Sequence, residues 1–336
     1  MIATLDTAAA ASPVTLQTAA EARHRRWCNV RRVLLVRLDG VSGVLGSTAS
    51  FAAIHETMPW SQSTLLAAPE ASGLRPHLQA VDDLLTFNAP WTAEGAAALA
   101  AEPATMRGDA EMHLLRKLRR SHFDAAVLFA ATPAGALPAA LLCRMAGIPL
   151  TLAHVQEPAH GLLSDELIDD GQIQDDTRRQ LALVAHVGMQ TTDERPRLRL
   201  LPKDSHHMRS ALQQAGLRFG QRYVLVCPGG GGSDRTSPPA AFVAAIEVLL
   251  RTWADDTAVV LCPLPGDESA LAALRAAMPS RGQVLPLVAS VGELAALAAD
   301  ARVLIATDDL PLTIAAAVRV PAVVPGEALH RDPMLA

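Results

Sequence analysis

Residues Val33 to Phe51, VLLVRLDGVSGVLGSTASF, constrain the fold more than any other stretch of the chain. Val33–Val36 is an apolar run short enough for a buried strand. A polar turn with Arg37, Asp39, Gly40, Ser42 and Gly43 follows, then an apolar-rich helix through Val44, Leu45, Phe51 and Ile54. A strand that passes through a glycine turn into a helix N-terminus is the repeating unit of parallel α/β sheets. It is also where such sheets bind anions and place reactive side chains. Any parallel sheet can open this way, so the turn reads equally as a site or as plain architecture.

The same pattern recurs. In the N-terminal half, Ser63–Ala67, Asp83–Phe87, Phe123–Phe129 and Leu150–Ala153 read as strands, with helices near 73–79, 108–120 and 138–146. Residues 155–176 change character. Glu157, Asp165, Glu166, Asp169, Asp170, Asp175 and Asp176 leave few strand formers, and the segment reads as a solvated loop before a helix over 177–187. The alternation restarts at Tyr223–Cys227 and continues through strands at Ala258–Cys262, Val284–Leu287, Val303–Ala306 and Ala322–Val324. A βαβ series implies a parallel sheet in each half. At 336 residues the chain fits two domains. We place a flexible or helical N-terminal extension at 1–28, one Rossmann-like domain at 29–190, a linker at 191–205 and a second Rossmann-like domain at 206–336 with a short tail.

Composition narrows the function. A net charge of −5 argues against a broad nucleic-acid-binding surface. Cys28, Cys143, Cys227 and Cys262 form no CxxC pair, which disfavours a structural zinc site and suits a reducing compartment. Cys143 and Cys262 read as packed hydrophobes, and Cys227, at a strand end before the glycine run, as facing a pocket. No stretch is long and apolar enough to span a membrane, and residues 1–20 lack a signal-peptide pattern. The run Arg23–Arg26 reads as a solvated charge cluster, and His206–His207 as solvated residues of the linker. A cytoplasmic protein, with at most peripheral contact at the inner face of a membrane, is the expectation.

Chemistry concentrates in three turns that each follow a strand. The first is Arg37–Gly43. The second is Pro228-Gly229-Gly230-Gly231-Gly232-Ser233-Asp234-Arg235, where glycines let backbone N–H groups approach a phosphate and Arg235 can pair with its oxygens. It is neither a Walker loop nor a GxGxxG fingerprint, and a flexible loop with a surface arginine remains the alternative. The third is Thr307-Asp308-Asp309-Leu310-Pro311.

In this order, from about Val33 to Val324, the turns resemble glycosyltransferase family 9, the bacterial lipopolysaccharide heptosyltransferase family. Arg37, Leu38, Asp39, Val44, Leu45 and Thr48 match its RLDxIGDVLLTTPAL opening. Phe123–Ala126 and Ala146–Pro149 resemble its FDxAI and LAGIP stretches. Pro228-Gly229, Arg235, Pro238-Pro239 and Phe242 resemble its HPGAS and RRWPPERF segments, and Asp308, Pro311 and Ala315–Ala317 its NDSGPMHIAAA segment. The resemblance implies a GT-B-like α/β fold with parallel sheets facing a central cleft. It implies an inverting transfer of a sugar from a nucleotide-diphosphate donor, typically ADP-heptose, to a glycan or lipid-linked acceptor, with no metal and no cofactor beyond the donor. Pro228, Gly229–Gly232, Arg235, Asp308 and Thr313 fall on the donor side, and Arg37 and Ser42 on the acceptor side. The chain departs from the pattern at the expected base, which falls on Gly43. Asp39 is then the candidate base, or a turn-capping residue. The Gly-Pro-x-His of the third segment falls on Leu310–Thr313. These departures keep a second reading open: a catalytically silent relative acting as a binding or scaffolding partner.

Overall fold

The structure, a computed structural model, describes residues 13–101, 108–229, 237–253, 256–278, 283–285, 288 and 290–326. Two parallel sheets organise it. The first holds strands β1 (Arg32–Arg37), β2 (Gln62–Ala67), β3 (Asp83–Thr86), β4 (Ala125–Leu128), β5 (Leu150–Val155) and β6 (Asp165–Ile168) in the order β3-β2-β1-β4-β5-β6. The second holds β7 (Tyr223–Cys227), β8 (Ala258–Leu261), β9 (Gln283–Val284), β10 (Val303–Ala306) and β11 (Ala322–Val323) in the order β11-β10-β7-β8-β9. Val33 to Val36 pair in parallel with Ala125 to Leu128, and Val303 to Ala306 with Val224 to Cys227. Central strands of parallel sheets are covered on both faces. Accordingly β4 and β7 are buried at every position. Side chains of β7, β8 and β10 pack with Phe242, Ile246 and Leu274 into one apolar core.

By contacts the chain divides into two compact units. One comprises residues 1–36, 50–65 and 90–194, the other 37–49, 66–89 and 195–336. The opening turn therefore groups with the C-terminal residues.

Three local expectations change. The acidic segment is not a loop throughout, because Asp165–Ile168 forms β6 and pairs in parallel with Leu152–Val155. Nor is Asp165 solvated. It is 6% exposed, and its carboxylate accepts from Trp27 Nε1 at 3.0 Å and Arg26 Nη2 at 2.9 Å, with Arg23 Nε at 3.2 Å. The basic run and the acidic run, each read alone as a charged surface, thus anchor each other: residues Pro13–Trp27 are helical and dock through that carboxylate. Finally, His206 and His207 lie in a helix, Pro202–Gln214, where His207 Nδ1 lies 3.0 Å from Glu293 Oε1. Among the described residues no helix is long and apolar enough to cross a membrane, and no group of three or more His, Cys, Asp or Glu is arranged to hold a metal ion.

Candidate active site

The first turn leaves β1 at Arg37 and enters a short helix, Gly40–Gly46. Arg37 is 2% exposed, so its guanidinium is turned inward. It is met there by Asp39, whose Oδ1 lies 2.5 Å from Arg37 Nε, and by Ser47, whose Oγ accepts from Nη1 at 3.3 Å. The Asp39 side chain keeps 25% exposure. Gly43 passes directly over this pair: a Cβ there would sit 2.7 Å from Arg37 Nε and 2.9 Å from Asp39 Oδ1. Arg37 therefore occupies the space that a side chain at position 43 would need. Ser42 is half-buried on the same helix.

The third turn leaves β10 at Ala306 and enters the helix Asp309–Val318, with Asp308 at its N-cap. Helix Gly40–Gly46 packs against Asp309–Val318 within the second unit, which brings the first and third turns to one place. Helix N-termini present free N–H groups and a positive end of the dipole, which suits an anionic ligand. Thr313 is one turn inside, and its hydroxyl donates to the Asp309 carbonyl at 2.8 Å. Leu310 is half-buried.

The second turn is described at its first two residues only. Gly230, Gly231, Gly232 and Arg235 lie outside the described residues. Pro228 and Gly229 lie against the third turn. Thr307 Oγ1 donates to the Pro228 carbonyl at 3.5 Å. Gly229 has φ +70°, and a Cβ there would meet Thr307 Oγ1 at 2.5 Å and Asp308 Oδ1 at 2.8 Å. Both the left-handed backbone and the close approach require glycine. Beyond the turn, Ser237 Oγ donates to the Pro325 carbonyl at 2.8 Å.

A fourth turn, between β8 and the helix Glu268–Ala277, escaped sequence reasoning. Asp267 is its N-cap residue and is 1% exposed. Its carboxylate accepts from the Leu264 N–H at 3.4 Å and from the N–H of Gly229. Burial pushes this carboxyl up to about 6, and the charge of Asp308 adds to the rise while the two N–H groups oppose it. The available signal was the same strand–turn–helix pattern, Leu264-Pro265-Gly266-Asp267-Glu268, that singled out the other three. Cys227, read as facing a pocket, is 1% exposed instead. A hydrogen bond with Cys262, then burial, hold its thiol well above its ordinary pKa, so it is a packed, protonated thiol.

Two parallel sheets of Rossmann type, with strand-end turns gathered beside glycine, threonine and aspartate, define a GT-B glycosyltransferase fold, and solved structures bear this out. The chain is similar to a glycosyl transferase family 9 protein from Veillonella parvula (TM-score 0.70, 13% identity, 88% of this chain and 80% of that one). It is also similar to Escherichia coli ADP-heptose lps heptosyltransferase II (TM-score 0.63, 18% identity, 87% and 84%). A third similar structure is the E. coli heptosyltransferase WaaC with ADP (TM-score 0.60, 16% identity, 87% and 86%). Among curated proteins, none matches the sequence significantly. The sequence profile of Glycosyltransferase family 9 (heptosyltransferase) matches residues 112–324, well over half of the chain. The chain belongs to that family, and its membership supports glycosyltransferase activity.

Proposed function

We propose that the protein transfers a sugar, with inversion, from an ADP-linked nucleotide-sugar donor to a glycan or lipid-linked acceptor, needing neither metal nor cofactor beyond the donor. The observation that carries this reading is Gly229, pressed against Thr307 and Asp308 in a chain of this family. A backbone that admits no Cβ, beside the N-terminus of helix Asp309–Val318, is suited to close approach by a diphosphate. A solved heptosyltransferase of 15% identity and TM-score 0.61 holds ADP-2-deoxy-2-fluoro heptose, which makes an ADP-linked heptose the first donor to try.

In the reaction, the acceptor hydroxyl oxygen attacks the anomeric carbon and the bond from that carbon to the diphosphate breaks. The nucleoside diphosphate leaves with the bonding pair, and the acceptor's proton passes to a carboxylate. Asp39 is the carboxylate we assign, being partly exposed and held by Arg37. Arg37 and Ser42 belong to the acceptor side, Arg37 through its hold on Asp39. Pro228, Gly229, Asp308 and Thr313 belong to the donor side, together with Gly230–Gly232 and Arg235, the cation that the sequence assigns to the diphosphate.

One observation favours the second reading, a silent relative that binds without transferring. Gly43 offers no base, and the space beside it is filled by Arg37. Incubation with ADP-heptose and a truncated lipid acceptor, read by mass spectrometry, separates the two. Transfer that falls by about 10²–10⁴-fold in Asp39→Asn supports the enzyme with Asp39 as base. ADP binding without transfer supports the silent relative, and absence of any nucleotide-diphosphate binding overturns both.

A further inference from the structure

The helices Asp109–Ser121 and Pro133–Ala146 pack side by side in the first unit. Pro133–Ala146 buries Ala136, Ala139, Ala140 and Cys143. It leaves Leu137, Leu141 and Met145 exposed by 39%, 51% and 46%. Their i, i+4, i+8 spacing puts them in one stripe. No acidic residue interrupts this helix. The neighbouring helix buries Leu114, Leu115 and Leu118 and turns Arg116, Lys117, Arg119 and Arg120 to solvent.

The two features are joined. Arg119 Nε and Nη2 donate to the Met145 carbonyl at 3.1 and 2.9 Å, which fixes a guanidinium at the end of the apolar stripe. Arg144, also exposed, donates to the Gly161 carbonyl at 2.6 Å. None of these five cations has an ion-pair partner among the described residues. The only carboxylates on the two helices, Asp109 and Glu111, sit in the first turn of theirs. A cationic face with no ion pairs among the described residues, in a chain of net charge −5, suits an anionic counterpart.

We propose that this face docks on the surface of an anionic lipid bilayer. Leu137, Leu141 and Met145 enter the boundary between headgroups and acyl chains, and Arg116, Lys117, Arg119, Arg120 and Arg144 meet lipid phosphates. Aliphatic side chains flanked by long cationic ones suit this boundary, because the stems lie in the apolar layer while the heads reach the phosphates. Each cation near such a surface adds attraction that salt screens. A protein partner is the poorer fit, since the stripe offers no Trp, Tyr or Phe anchor of the kind that dominates protein interfaces. The docking goes beyond the proposed transfer and needs no activity to be tested.

The test is co-sedimentation of the full chain with phosphatidylcholine vesicles, with and without phosphatidylglycerol, at low and high salt. We expect binding at least about tenfold stronger to the anionic vesicles, falling as salt rises. Leu141→Glu should abolish it, and Arg116→Glu with Arg120→Glu should weaken it and flatten the salt dependence. All three side chains are exposed, so unchanged circular dichroism is expected for each variant. Absence of binding to anionic vesicles, or equal binding to neutral ones, overturns the proposal. So does light scattering that shows self-association of the wild type, lost in Leu141→Glu.

Discussion

Arg37 Nε and the α-carbon side of Gly43 compete for one volume: a Cβ on Gly43 would lie 2.7 Å from that nitrogen, well inside van der Waals contact. Arg37 cannot easily retreat, because it is 2% exposed and held by Asp39 and Ser47. Gly43→Ala should therefore destabilise the fold by about 1–3 kcal/mol, the usual cost of overpacking. Chemical denaturation of Gly43→Ala alone and combined with Arg37→Ala would show coupling. The alanine at 43 should cost clearly less once the guanidinium is gone.

The ion pair between Arg37 and Asp39 sets a condition on any activity measurement. Asp39→Asn removes the charge facing a buried guanidinium; breaking a fully buried pair costs about 3–5 kcal/mol, and the partial exposure of Asp39 puts the cost here below that. A lower melting temperature is expected alongside any loss of transfer. Rates must be compared below the variant's own unfolding transition, where a base predicts lost kcat with donor KM unchanged.

Much of this architecture was legible from the sequence. The strands after which the turns fall have uninterrupted apolar runs, as at Val33–Val36 and Tyr223–Cys227, and such runs announce buried parallel strands. What the sequence hid was pairing between distant residues. Asp165 looks like one charge in an acidic loop until Trp27 and Arg26, more than a hundred positions away, are seen to bury it. Strand β6 was hidden for the same reason, since DELI is strand-like only once its first carboxylate has partners. Cys227 looked like a pocket thiol because the β7–β8 pairing that sets it beside Cys262 cannot be read from either strand alone. Asp267 was passed over because a single Asp before a helix suggests no more than a cap. Its burial and its reach to Gly229 are tertiary.

Asp165 gives a second stability prediction. Among the described residues, its carboxylate alone joins Arg23, Arg26 and Trp27 together. Asp165→Ala should leave Arg26 and a buried indole N–H without their carboxylate, and Arg23 with only the His186 carbonyl, and destabilise by about 2–4 kcal/mol. Limited proteolysis should then cut within residues 13–27 well before the remainder of the chain, whereas wild type should resist there.

Asp267 makes stability depend on pH in a direction that a surface carboxylate would not. Its carboxyl holds its proton up to about 6 in the folded chain, against an ordinary value of 3.8. The folded state thus binds that proton more tightly than the unfolded state, and ionisation favours unfolding. The stabilising contribution is complete below about 4 and is lost as pH rises through about 6. Asp267→Asn keeps an oxygen for the Gly229 N–H but cannot ionise. Relative to this variant, the wild type should lose about 1 kcal/mol between pH 5 and 8, because most of the folded-state titration falls in that interval. Denaturant melts of both proteins at the two pH values measure the difference directly. Parallel melts, with no relative shift, would mean that Asp267 is ionised across the whole range and that its contact with Gly229 is a charged one throughout.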